Sequence, residues 1–197
     1  MTLAAPQAGG VWRVWDRVPV PTDPTLRRLA VASLISQIGI VVTGGAVRLT
    51  GSGLGCPTVP RCTDESLVPT PELGIHGVIE FGNRLLTFVL GAIAAAMLLA
   101  VWRTTRSDHP RRDLLVPASV LLLGIPAQAL IGMATVRTLL NPWVVMLHFM
   151  CSAGLIAVAV ILVRRAQRPA GTRPVQIGSP WLRRLAATTL TAAFVAV

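Results

Sequence analysis

The sequence predicts an all-α polytopic membrane protein: a four-helix transmembrane bundle plus the start of a fifth helix. Three observations predict it. The 197 residues are 53% hydrophobic and 13% charged, against about 25% charged in a soluble domain, and the mean hydropathy is +0.66. The apolar residues gather into runs of about 20, the length an α-helix needs to cross the hydrocarbon core. The net charge of +10 comes from eighteen arginines and no lysine, and these punctuate the apolar runs rather than forming a face. That pattern argues for a lipid bilayer as partner and against nucleic acid, which a pI near 11.7 would otherwise suggest.

Residues 1–26 carry Pro6, Pro19, Pro21 and Pro24 and no apolar h-region, so they read as a cytoplasmic tail and not as a cleavable signal peptide. Trp12 and Trp15, with Arg13 and Arg17, either rest on the membrane surface or lie in solvent. The first span runs from about Leu29 to Val47. Gln37 and the Thr43-Gly44-Gly45 run are its polar and small points, suited to close helix packing. Residues 48–73 form a Gly, Pro, Thr and Ser loop that contains Cys56 and Cys62. The second helix, Gly74 to Trp102, is longer than a crossing requires, so its first turns should rise out of the hydrocarbon. An arginine loop with His109 follows. The third span covers Leu114 to Thr135. Pro117 suits its first turn, and Pro126 predicts a mid-span kink because it removes a backbone donor. The fourth span runs from Trp143 to Val163. The bundle therefore occupies 27–165. A Pro/Gly/Arg cytoplasmic linker at 166–180 leads to a fifth apolar run at 181–197, which stops too soon to cross.

Arginine placement predicts the orientation. With the N-terminus cytoplasmic, fourteen of the eighteen arginines fall on that side, and Arg48, Arg61, Arg84 and Arg137 fall on the other. Trp102 and Trp181 then lie at the inner interface and Trp143 at the outer one. The cysteine loop is extracytoplasmic in this arrangement.

The residues that can carry chemistry cluster between Gly44 and Gly91. Cys56 and Cys62 stand six apart in a Pro-rich loop on the oxidising side, where disulfides persist. They form either a static bridge that pins the loop or a redox-active pair, and a short exposed bridge is the more reducible kind. Cys151, alone in an apolar run, reads as a small buried hydrophobe. His76, Glu80 and Asn83 share one face of the second helix. Glu80 and Arg84, four apart, can pair. Glu80 is either half of an interfacial ion pair or a proton-handling group over a buried substrate, because an ionisable residue in a membrane helix normally faces a cavity or a partner. His148 lies mid-helix among apolar residues. It is either hydrogen-bonded within the bundle or an axial ligand of a haem iron. His109 reads as solvated.

Two pairs of segments carry a family resemblance. TGGAVRLTGSGLGCPTVPRC followed by HGVIEFGNRLLT, and QALIGMATV followed by NPWVVMLHFMCS, resemble haem A synthases over about residues 30–165. The resemblance implies conversion of haem O to haem A, a porphyrin methyl being oxidised to a formyl group through successive hydroxylations, in support of cytochrome oxidase assembly. It implies eight membrane helices in two similar halves. The N-terminal half receives the substrate haem, and the C-terminal half holds a haem b through two histidines. It further implies a loop disulfide linked to electron delivery and a second-helix glutamate needed for activity. By position, Glu80 matches that catalytic glutamate, His148 the fourth-helix histidine, and Cys56 and Cys62 the loop pair.

The sequence departs from the family at Asn83, where many members carry histidine in an E-x-x-H-R motif. At about 1.5 Å per residue, Asn83 stands about 28 Å above the inner end of its helix, His76 about 39 Å, and His148 about 22 Å above the end of its own. His76 is therefore too high to be a second axial ligand and is expected at the outer rim, near a propionate or in a proton relay. His148 is expected to be the only imidazole ligand in this half, with Asn83 and Arg84 completing the cofactor-binding set. The second departure is that the chain stops at the start of a fifth helix, before the half expected to hold haem b. The leading reading is the N-terminal half of a haem A synthase in the plasma membrane, with haem O synthase as donor, a quinone-like electron acceptor, and room for homo-oligomerisation. The competing readings are a non-catalytic haem-binding or electron-transfer bundle, and a membrane thiol–disulfide oxidoreductase using Cys56–Cys62.

Overall fold

A computed structural model of the chain describes residues 19–169, with Trp181, Arg184 and Thr188 beyond them. The expectations for Trp12 and Trp15, for most of the linker and for the fifth apolar run lie outside the described residues. Among the described residues the protein is all-helical. Four helices carry it: α1 (Asp23–Leu49), α2 (Gly74–Thr104), α3 (Leu115–Arg137) and α4 (Pro142–Ala166). All four are long and apolar enough to cross a membrane. Each packs on its neighbour in sequence, and α4 closes back on α1. The result is an antiparallel four-helix ring, with α1 and α3 on one diagonal and α2 and α4 on the other.

The helices exceed the predicted spans at several ends, for local reasons that hydropathy does not register. α1 starts at Asp23 rather than Leu29. Pro24 occupies its first turn and Asp23 adds an acidic group there, both favourable where backbone N–H groups are unpaired. It ends at Thr50, whose hydroxyl bonds the Ala46 carbonyl at 2.8 Å, and Gly51 leaves in the left-handed region at φ 67°. Asn141 caps α4, accepting from the Trp143 N–H at 3.0 Å, with Pro142 at its first position. α3 runs unbroken through Pro126, and Pro117 does sit in its first turn. Between α3 and α4, Leu139 and Leu140 both have positive φ, 52° and 60°. That is a costly conformation for two consecutive non-glycine residues. Leu140 there lies against Gly53 of the cysteine loop.

The packed core is confined to one end of the bundle. Leu26 and Ala30 of α1, Met97 and Val101 of α2, Leu114, Ala118 and Leu121 around the start of α3, and Ala159, Leu162 and Ala166 of α4 form one buried cluster. All lie towards the arginine-rich end. A polar clamp closes that end. The Arg111 side chain is 2% exposed. It donates to Asp23 Oδ1 at 3.0 Å, to both carboxylate oxygens of Asp113 and to the Arg165 carbonyl at 2.8 Å. Its backbone N–H reaches Thr104 Oγ1 at 3.2 Å. Through its guanidinium and its backbone N–H, Arg111 thus joins the ends of all four helices. Burial pulls its pKa down, but the bonds and charges of Asp113 and Asp23 outweigh burial and leave it raised. A base whose folded-state pKa is raised stabilises at every pH below its unfolded value, and for arginine that covers all working conditions. Arg111→Met is therefore expected to lower stability by about 1–2 kcal/mol, with both aspartates still half in water. Thermal unfolding in detergent between pH 6 and pH 10 should show the same deficit throughout.

Candidate functional site

The opposite end is built differently. The loop from Thr50 to Thr70 folds down onto the first turns of α2. The contact depends on two glycines. A Cβ on Gly55 would stand 2.2 Å from the His76 carbonyl oxygen, and one on Gly77 would stand 2.8 Å from Leu73 Cβ. The two backbones meet here with no room for a side chain. A disulfide joins Cys56 and Cys62, and both cysteines are 0% exposed. The bridge is buried rather than exposed: the loop wraps its own sulfurs against α2, with Cys56 Sγ facing the Gly77 carbonyl. Cys151 is half-buried and unbridged.

Glu80, 6% exposed, lies at the centre of this contact. Its Oε2 accepts from the Cys56 N–H at 2.8 Å, and its Oε1 pairs closely with Arg84 Nη2. Arg84 then donates to the carbonyls of Cys56 at 3.0 Å, Thr58 at 3.1 Å and Arg61 at 3.3 Å. The carboxylate and guanidinium together grip the disulfide loop by its backbone. His76 is exposed, and its Nδ1 is 2.9 Å from Ser52 Oγ, which in turn meets Thr50 Oγ1 at 2.7 Å. Asn83 turns towards α1, its Oδ1 accepting from Thr43 Oγ1 at 2.7 Å. The three residues that share a face of α2 thus take three different partners.

His148 stands on α4, diagonally across the bundle from α2. Among the described residues no hydrogen bond joins its ring to any group, and its Nδ1 is buried without a partner. Among the described residues the only other buried side-chain polar atom so left is Oε1 of Gln128, on α3. His109, in the arginine loop, is exposed as expected. No cluster of three or more metal-ligating side chains occurs among the described residues. A single imidazole whose Nδ1 is buried and unpartnered does fit one axial bond to a haem iron.

Sequence reasoning placed Thr43 at a helix-packing point without its partner Asn83, and missed Ser52, Gln128 and the Gly55–Gly77 crossing. Gln128 had a usable signal, being the one amide in the third apolar run. Ser52 had none, since small hydroxyl residues are common in loops.

Fold and site define a class: a multi-pass, all-helical membrane protein with a disulfide-capped carboxylate on one helix and an unpartnered histidine on the helix opposite. The family model of the cytochrome oxidase assembly protein COX15-CtaA matches residues 27–197. The chain belongs to that family, which includes the haem A synthases. It is 36% identical over 142 residues to the heme A synthase of Lysinibacillus sphaericus, covering 70% of this chain and 43% of the relative. It is 34% identical over 145 residues to that of Shouchella clausii (72% and 46%). It is 31% identical over 140 residues to that of Alkalihalophilus pseudofirmus (69% and 46%). The matched region thus spans a little under half the length of these relatives. No solved structure matches the chain significantly.

Proposed function

We propose that residues 27–165 form the substrate-haem half of a haem A synthase, an oxidoreductase that converts a methyl group of haem O to the formyl group of haem A. The single observation that carries this reading is the His148 imidazole, buried at Nδ1 and unpartnered, in a chain of this family. An unpaired polar group within a membrane bundle is costly and normally functional. Haem O brings the methyl that is oxidised and an iron that takes an axial ligand. His148 would hold that iron. Glu80 would hold or accept a proton at a carboxylate oxygen beside the reacting edge. Arg84 and the Cys56 N–H each occupy one acceptor site on a different oxygen, which leaves a second site on each for a proton. The disulfide loop would keep water from that carboxylate. His76, through Ser52, would serve the rim, where a propionate or a proton could be met. Asn83, tied to Thr43, lines the level between.

The arginine distribution supports a cytoplasmic N-terminus and an extracytoplasmic cysteine loop in the plasma membrane. Haem O synthase as donor, a quinone-like electron acceptor and a homo-oligomer remain parts of this proposal. The haem b implied by the resemblance is assigned to a second four-helix half. The burial of Cys56 and Cys62 speaks against thiol–disulfide exchange as the primary activity, since exchange needs an accessible sulfur.

The test is an absorption spectrum of the purified protein titrated with haem. Wild type should show a haem with one histidine ligand, and His148→Ala should lose it, at a cost of at least about tenfold in affinity. A bis-histidine spectrum that disappears in His76→Ala would sink the assignment of His148 as the only imidazole ligand.

A further inference from the structure

The two orphaned polar atoms belong to one contact between α3 and α4. The Gln128 amide is oriented by its partners. Its Nε2 donates to the His148 carbonyl oxygen at 3.1 Å and makes a close bond to Ser152 Oγ. The Ser152 hydroxyl itself donates to that same carbonyl at 3.0 Å, so its proton is committed and its oxygen accepts from Gln128. An amide turned the other way would set oxygen against a carbonyl oxygen. Oε1 therefore points away from both, buried and unpartnered. One turn further along α3, Gly132 lies against the imidazole: a Cβ there would be 3.4 Å from His148 Cε1 and 3.9 Å from Nδ1. Gln128 and Gly132, four apart on one helix face, thus flank the same histidine. The contact holds a free acceptor and a ring nitrogen with nothing to bond.

We propose that Gln128 is the positioning residue of His148. Its carboxamide oxygen accepts, through one buried water, from the His148 Nδ1–H, and so holds the tautomer whose Nε2 carries a lone pair. A water with two such partners at one contact satisfies both orphans. Fixing the second ring nitrogen is what directs an imidazole at a metal. The carbonyl bond from Nε2 of Gln128 adds a second restraint, tying the amide to the backbone of the residue it orients. The use of this contact rests on the reading of His148 as a haem ligand, but the tautomer itself does not.

The experiment is nitrogen-15 NMR of histidine-labelled full chain in detergent without haem, the His148 signals being assigned by their loss in His148→Ala. Wild type should carry its proton on Nδ1. Gln128→Met, of similar length but without an acceptor, should move the proton to Nε2 or give a mixture. Gln128→Glu, which keeps a side-chain oxygen, should retain the wild-type tautomer. An unchanged tautomer in Gln128→Met, or its loss in Gln128→Glu as well, overturns the proposal. Titration with haem b as probe then separates the two readings. Gln128→Met should bind about 10- to 100-fold more weakly. If the tautomers respond as stated while His148→Ala binds haem like wild type, the ligand assignment fails and the positioning contact stands.

Discussion

Glu80→Ala is expected to abolish conversion of haem O to haem A while leaving haem bound. A positioned acid or base contributes about 10²- to 10⁴-fold, so turnover should fall by at least the lower figure. The structure adds a complication, because Glu80 has a second task. Its two oxygens hold the Cys56 N–H and Arg84, and alanine leaves both without that partner. Unmade bonds of this kind cost about 1–3 kcal/mol each when buried. Arg84 is 24% exposed along its side chain, so its share belongs at the low end. Glu80→Gln separates the two tasks. Its amide keeps an oxygen for the Cys56 N–H but cannot take up a proton in the same way. It should therefore keep the loop docked and still lose conversion. Pigment extraction reports the conversion, and resistance of the Cys56–Cys62 bridge to added reductant reports the docking. Conversion within twofold of wild type in Glu80→Gln would show that the glutamate serves the loop alone. Loss of bound haem in both variants would make it a binding group.

Gly55→Ala is expected to lift the cysteine loop off α2. The added Cβ would stand 2.2 Å from the His76 carbonyl oxygen, 2.4 Å from its carbon and 2.9 Å from the Gly77 nitrogen. These are backbone atoms of a helix, and no rotamer change moves them. Overpacking typically costs about 1–3 kcal/mol, and a backbone obstacle places this case at the upper end. Three bonds should go together: Cys56 N–H to Glu80, Arg84 to the Cys56 carbonyl, and Ser52 to His76. The disulfide, now buried, should become reducible at least about tenfold faster as its access to solvent opens. Gly44→Ala and Gly82→Ala are the controls. A Cβ at either meets nothing within 4 Å, and alanine suits a helix better than glycine. Equal reduction rates in Gly55→Ala and wild type would show that the close approach does not hold the loop.

Much of the fold was legible because membrane helices announce themselves locally. Hydropathy and length located all four helices, and Pro117 marked the first turn of the third, while the ends set by Gly51 and by Asn141-Pro142 came from the structure. Pro126 lies inside an unbroken α3. Of the site, the residue types were legible: a carboxylate, an imidazole and two thiols are rare enough in apolar surroundings to stand out. Their partners were not.

Chain order and composition were enough to set the four described helices, their antiparallel course, and the gathering of chemistry-bearing residues between Gly44 and Gly91, because each is written in local sequence. The tertiary structure decided which groups meet. Cys56 reaches Glu80 across 24 residues, Gln128 reaches the His148 carbonyl across 20, and Thr43 reaches Asn83 across 40. It also buried the Cys56–Cys62 disulfide, which the sequence had left open between a static bridge and a redox-active pair. Such pairings follow from how four helices rotate about their own axes when packed. A rotation of one residue's arc redirects a side chain to a different neighbour while leaving the hydropathy of the sequence unchanged.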